Sequence, residues 1–158
     1  MSISPVDLAY AAGIVDGEGT VSIAEYAPKW EEHNRNARRK SPQFRCYLTV
    51  SMTDIEVPLW LAETFGGSVN TYKQKNKRHK DQHRWVLQNR CAAECAAMLL
   101  PYMKTKRRQA ELLANFYMDS RFTVRIGGGS SAQLTQSDID ARREYSTEVR
   151  SLNQRGVS

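Results

Sequence analysis

Ala11-Ala12-Gly13-Ile14-Val15-Asp16-Gly17-Glu18-Gly19 decides how the rest of the chain is read. It is a run of small and apolar residues that stops at a glycine-flanked carboxylate. Small residues let two helices approach closely, and glycine lets a chain leave a helix end sharply. The helix is expected to begin at Pro5, because Ser4 can cap it, Pro5 suits the first helical position and Asp7 completes an S-x-x-D box. It is expected to run to about Asp16, with Gly17 and Gly19 ending it. Glu18 then stands at the helix foot, where the carbonyl end is already negative. A carboxylate there gains most from a cation, and Mg²⁺ takes one or two carboxylates together with phosphate oxygens.

Working outward, Thr20 to Tyr26 alternates, with Val21 and Ile23 on one face and Thr20, Ser22, Ala24 and Tyr26 on the other. Residues 27–42 read as a loop bounded by two prolines and carrying Arg35, Arg38, Arg39 and Lys40. Gln43 to Ser51 is the clearest strand. Phe44, Cys46, Leu48 and Val50 form its apolar face; Gln43, Arg45, Tyr47, Thr49 and Ser51 form a polar one. One wet face is the mark of an antiparallel sheet covered on one side. Thr53-x-x-Glu56 reads as a capping box for a helix that ends at Gly66-Gly67, although Pro58 lies deep for that start. Val69–Lys75 and His83–Gln88 read as strands joined by a basic tip, Asn76 to Gln82. Asn89 reads as the cap of a helix with Cys91, Cys95, Met98, Leu99 and Tyr102 on its apolar stripe, broken near Pro101. Lys104–Met118 reads as a further helix, and Thr135-x-x-Asp138 opens a last one reaching about Leu152.

The chain has 158 residues, a formal charge of +6 and 41% hydrophobic residues. It is one domain, 1–158, with room for one core. A pI near 9.4 points to a polyanion, nucleic acid ahead of membrane. Three cysteines with no CxxC pair suit a reducing compartment. Neither a signal peptide nor a membrane span is expected, so the protein is read as intracellular, cytoplasmic or organellar, and not secreted. Zinc held by His79, His83, Cys91 and Cys95 is set aside, since both cysteines fit a buried helical stripe.

The nonapeptide, followed at once by an alternating strand, a basic loop and a second half-polar strand, resembles the motif of the LAGLIDADG homing endonucleases. A second matching stretch is Leu100 to Ala110, where a proline-aromatic turn precedes lysines. The resemblance runs from about Val6 to Leu152. It implies an α+β, αββαββα fold: a saddle-shaped antiparallel sheet against DNA, helices on its other face, a motif helix over 5–17 and a C-terminal helix over 134–153. It implies a metal-dependent endonuclease hydrolysing double-stranded DNA at a long, near-palindromic site, of the intron-homing type, with no small-molecule cofactor. One motif copy implies a homodimer, paired through Ala9, Ala12, Gly13 and Asp16. Glu18 matches the metal-binding position, with the Gly19 carbonyl as companion ligand for Mg²⁺, or for Mn²⁺ or Ca²⁺ in the same site. Lys106 matches the lysine near the scissile phosphate, with Lys104 as the alternative.

Two positions depart from the pattern. Met52 stands where the family often has a polar residue that holds the attacking water, leaving Ser51, Thr53 or Asp54 as substitutes, and Glu56 stands near an expected basic residue. They keep open a cleavage-deficient nucleic-acid-binding relative, an RNA maturase or a transcription regulator. A small monomeric RNA-binding domain is the further alternative.

Strand parity nominates the DNA-facing residues. They are Thr20, Ser22, Ala24 and Tyr26; Gln43, Arg45, Tyr47 and Thr49; and Thr71, Lys73 and Lys75. From the fourth strand comes Arg84, with His83 as its rival. Arg and Lys can read guanine edges and Gln can read adenine. The loop residues Arg35, Arg38, Arg39, Lys40, Lys77, Arg78 and Lys80 suit phosphates, which give affinity without sequence choice.

Overall fold

The computed structural model describes residues 2–27, 41–119 and 134–154. Arg35, Arg38, Arg39 and Lys40 lie outside them. The elements run α1 (Pro5–Glu18), β1 (Gly19–Tyr26), β2 (Gln43–Met52), α2 (Glu56–Phe65), β3 (Ser68–Tyr72), β4 (Gln82–Gln88) and α3 (Asn89–Leu99). A 3₁₀ turn (Leu100–Tyr102), α4 (Arg107–Phe116) and α5 (Gln136–Gln154) follow. The expected helix–strand–strand order, repeated and then closed by helices, is what forms.

The four strands make one antiparallel sheet in the order β1-β2-β4-β3. Every second residue is apolar, so one face is shut in: Val21, Ile23, Phe44, Cys46, Leu48, Val50, Trp85 and Leu87 are buried. Ala11, Ala12 and Val15 from α1, with residues of α2 to α5, complete that core. Each fully buried side chain such as Leu48, Leu61 or Phe116 contributes about 1.5–3 kcal/mol. Trp85 is fully buried, and its indole N–H donates to Gly66 O at 2.8 Å. At Gly67, with φ +93°, a Cβ would stand 2.4 Å from Val86 O, so glycine is required there.

The cap of α1 forms as expected: Ser4 Oγ accepts from the Asp7 N–H at 3.1 Å. The helix continues through Glu18, however, and Gly19 is extended rather than a left-handed terminator. Gly19 is needed for closeness instead: a Cβ there would sit 2.6 Å from Val15 O.

Other expectations are corrected. The Thr53 box does not cap α2; Asp54 Oδ1 accepts from the Glu56 N–H at 2.8 Å, and the later start puts Pro58 in the first turn, where no N–H is needed. Asn89 does not cap α3; it is the helix's first residue at φ 52°, and its Oδ1 accepts from the Cys46 N–H. On α3 the buried stripe is Ala92, Ala93, Cys95, Ala96 and Leu99, leaving Cys91 and Met98 exposed. The helix expected from Lys104 begins only at Arg107. β3 stops at Tyr72, so Lys73 and Lys75 lie in the exposed connection to β4.

The last helix starts as read, with Thr135 Oγ1 accepting from the Asp138 N–H. Its role was not read. β1 is an edge strand, and α5 lies along it: Ser146 Oγ donates to Ile23 O at 2.6 Å and Asn153 Nδ2 donates to Val21 O at 2.9 Å. Side chains thus satisfy carbonyls that a neighbouring strand would otherwise recruit.

Candidate active site and nucleic-acid interface

The foot of α1 gathers the residues the sequence singled out. Glu18 is exposed on the last turn, Gly19 opens β1 beneath it, and Lys106 arrives from the segment before α4. The Lys106 ammonium donates to Gly19 O at 2.6 Å and to Val15 O at 3.1 Å. No basic residue lies in the last turn of α1, so this lysine supplies the positive charge that a helix C-terminus favours. Burial pulls the Lys106 pKa below its usual value, against the opposing pull of Asp16 and Glu18.

Asp16 builds this arrangement. Its carboxylate accepts from the Lys104 N–H at 2.7 Å and the Lys106 N–H at 3.0 Å, and its carbonyl accepts from Thr105 Oγ1. Burial raises the Asp16 pKa, but the backbone donors outweigh it and leave the carboxyl below its ordinary value. Asp16, expected at a helix–helix interface, is hydrogen-bonded within its own chain. Ala12 is likewise fully buried in its own core, whereas Ala9 and Gly13 are exposed. The open face of α1 is Val6, Ala9, Tyr10, Gly13 and Gly17.

The site's cation chemistry can be judged from the ammonium, which acts as a stand-in ion. The Gly19 and Val15 carbonyls already hold one positive charge, and the exposed Glu18 carboxylate beside them is a hard oxygen donor of the kind Mg²⁺ takes. Among the described residues, no three His, Cys, Asp or Glu side chains group closely enough to hold a metal by themselves. Cys46 and Cys95 are buried thiols with pKa values pushed up to about 12, in keeping with core roles.

The outer face of the sheet is polar and shallowly concave, with a groove of about 490 Å³. Thr20, Ser22, Tyr47 and Thr49 line it as parity predicted, and of the two candidates on the fourth strand it is Arg84 rather than His83 that points outward. Tyr26 and Tyr47 pair through their hydroxyls at 3.1 Å, and Arg45 lies over the Tyr26 ring beside Gln43, whose Oε1 accepts its Nη2. Ala24 faces Arg45 in the register.

Thr71 is corrected to the other face. It pairs with His83 across the sheet, and its hydroxyl meets His83 Nδ1 at 2.9 Å. The outward residues of β3 are Ser68, Asn70 and Tyr72, which the sequence reading missed. Val69, opposite the buried Trp85, was the signal for this parity. Lys77 sits at an exposed turn ordered by Asn76, whose Oδ1 accepts from the Arg78 N–H.

Met52 also falls on the inner side, in register with His83 and packed against the core. The residue presented outward at this end of β2 is Ser51. Its hydroxyl accepts from Arg84 Nε at 3.0 Å, and the Arg84 guanidinium lies 5.1 Å from the Tyr72 ring centre. Gly19 pairs with Val50 next to it, so Ser51 and Arg84 lie at the Glu18 end of the sheet.

Neither a protein-family model nor a curated protein matches the sequence. Solved structures do. The homing endonuclease I-CvuI, in complex with the I-CreI target in the presence of Mg, matches with a TM-score of 0.62 at 17% identity, over 93% of this chain and 82% of that one. The archaeal intron-encoded homing endonuclease I-Vdi141I, complexed with DNA, matches at 0.63 and 14% identity, over 93% and 84%. The homing endonuclease I-TnaI matches at 0.55 and 18% identity, over 98% and 96%. The α+β fold expected from the sequence is thus the one these enzymes share. Among the described residues no helix is long and apolar enough to cross a membrane.

Proposed function

We propose that this chain, which has the fold of the LAGLIDADG homing endonucleases, is a divalent-metal-dependent, site-specific DNA endonuclease that acts as a homodimer on a long, near-palindromic target of the intron-homing kind. The observation that carries this reading is the meeting of Glu18, the Gly19 carbonyl and the Lys106 ammonium at one end of a polar, arginine-bearing sheet face. Each chain contributes half a site, and the exposed small-residue face of α1 suits a second copy that brings the other half.

In this reading the outer sheet face seats double-stranded DNA. Arg45 and Arg84, held over Tyr26 and Tyr72, are placed for base edges, and Lys73, Lys75, Lys77, Arg78 and Lys80 for phosphates. Glu18 and Gly19 O would hold Mg²⁺, with Mn²⁺ or Ca²⁺ able to take the same place; bound there, the ion supplies Lewis-acid stabilisation to the phosphoryl oxygens. Lys106 places positive charge where the phosphodiester gains negative charge. Ser51 takes the outward position that Met52 leaves empty.

Glu18→Gln tests the reading directly. The variant should keep DNA affinity and lose double-strand cleavage with Mg²⁺ by a factor on the order of a hundred or more. Undiminished cleavage refutes the role given to Glu18. Tight, site-specific binding by the natural chain with no cutting in Mg²⁺ or Mn²⁺ would favour the cleavage-deficient alternative.

A further inference from the structure

The Lys106 contact carries a consequence for how the site is loaded, one that rests on the metal-dependent reading above. The ammonium lies 2.6 Å from Gly19 O, the carbonyl assigned to the metal. A hard divalent ion needs an oxygen at about 2.0–2.6 Å. An ion on the other lone pair of that oxygen would stand about 4 Å from the ammonium, close enough for the two like charges to repel, with Asp16 and Glu18 as the carboxylates that both would draw on. The lysine is not loosely placed. Its backbone N–H is fixed by Asp16, and its ammonium has a second acceptor in Val15 O. Glu18, by contrast, is exposed, and its side chain makes no hydrogen bond to the described residues.

We infer that Lys106 is the resident counter-cation of the site: its ammonium and a divalent ion exclude one another at the Gly19 carbonyl, so a metal is seated there only when Lys106 lets go. The exchange needs no change in protonation, only a turn of the lysine side chain. It frees an ammonium beside the phosphate at the moment the metal is seated. Lys106 therefore acts in two opposite senses, opposing metal binding and supporting the reaction that follows.

The test is Mn²⁺ binding to the full-length protein without DNA, followed by electron paramagnetic resonance. Four forms are compared: the natural chain, Lys106→Met, Glu18→Gln and the double variant. Lys106→Met should bind Mn²⁺ about tenfold more tightly than the natural chain, the factor expected if the ammonium holds the carbonyl roughly nine-tenths of the time. Binding should vanish in both Glu18→Gln forms, and cleavage by Lys106→Met should fall.

Equal or weaker Mn²⁺ binding by a folded Lys106→Met, with Glu18-dependent binding intact, overturns the inference and leaves the metal site standing. No Glu18-dependent binding in any form, either free or after duplex DNA is added to supply phosphate oxygens, overturns the metal reading and the inference with it. A measurement on the natural chain covers the case in which Lys106→Met does not fold. Lys106 acetylation by acetic anhydride, read by mass spectrometry, should rise as Mn²⁺ is added. Protection that stays constant while Mn²⁺ binds overturns the exclusion.

Discussion

Asp16 is the residue whose structural role is plainest and least local. Within a small-residue helix it reads as part of a helix pair, yet both carboxylate oxygens accept backbone N–H groups from a segment some ninety residues away. Such a contact has no local signature, because the acceptor and its donors share no periodicity. Asp16→Ala leaves the Lys104 and Lys106 N–H groups without that acceptor and should cost about 1–3 kcal/mol, visible as a lower Tm. It should also reduce cleavage by releasing Lys106. If Asp16 acts by positioning that lysine, Asp16→Ala adds little further loss of cleavage in a Lys106→Ala background. Fully additive losses would show that the carboxylate works in some other way. Glu18 and Lys106 could be singled out because their residue type and motif position coincide; Met52 continues the inward parity of Phe44 to Val50, which leaves Ser51 as the outward neighbour.

At the level of elements, legibility followed burial. β1 and β2 alternate without interruption, and their faces were read correctly. β3 was not, because Lys73 and Lys75 were counted as strand residues when the strand ends at Tyr72. Polarity beyond a strand's end says nothing about its parity. The caps at Ser4 and Thr135 could be read, since a cap is a contact over three residues. The α5–β1 seal could not, as it joins side chains to backbone across the whole chain. Ser146→Ala should destabilise by about 1–2 kcal/mol in urea unfolding, because Ser146 is buried and Ile23 O would lose its donor. No change would mean the carbonyl finds another partner. The same helix docks through Arg143, which donates to both Glu25 oxygens at 3.0 and 2.6 Å. These hydrogen bonds, with the guanidinium charge, hold the Glu25 carboxyl below its ordinary value. Its folded pKa is the lower one, so the contribution is present above the unfolded pKa and is lost as pH falls through the folded one. Both side chains are partly exposed and solvent screens the pair, so the contribution should be small. The Tm gap between the natural chain and Glu25→Gln should narrow in the acid range. A gap independent of pH would exclude the ion pair as its source.

For the whole molecule, the question is whether one copy is enough. Gly13 sits inside α1 with nothing within 4 Å of where its Cβ would be. Within a single chain, Gly13→Ala should therefore stabilise by roughly 0.5–1 kcal/mol, the usual gain for alanine over glycine in a helix. If two copies pair closely through this face, the added methyl group should at the same time weaken self-association. Thermal unfolding at low concentration and sedimentation should thus move in opposite senses. A more stable variant with unchanged association would place the pairing surface elsewhere. The bond from Asp16 to Lys106 has one more consequence, set by the direction of synthesis. A chain leaving the ribosome presents Glu18 and Gly19 first, and the lysine that joins them is added 87 positions after Gly19. The strand that Gly19 opens has its edge carbonyls covered only when α5 has been made, later still. A product truncated before Lys106 therefore holds the motif but not the contacts that complete the site.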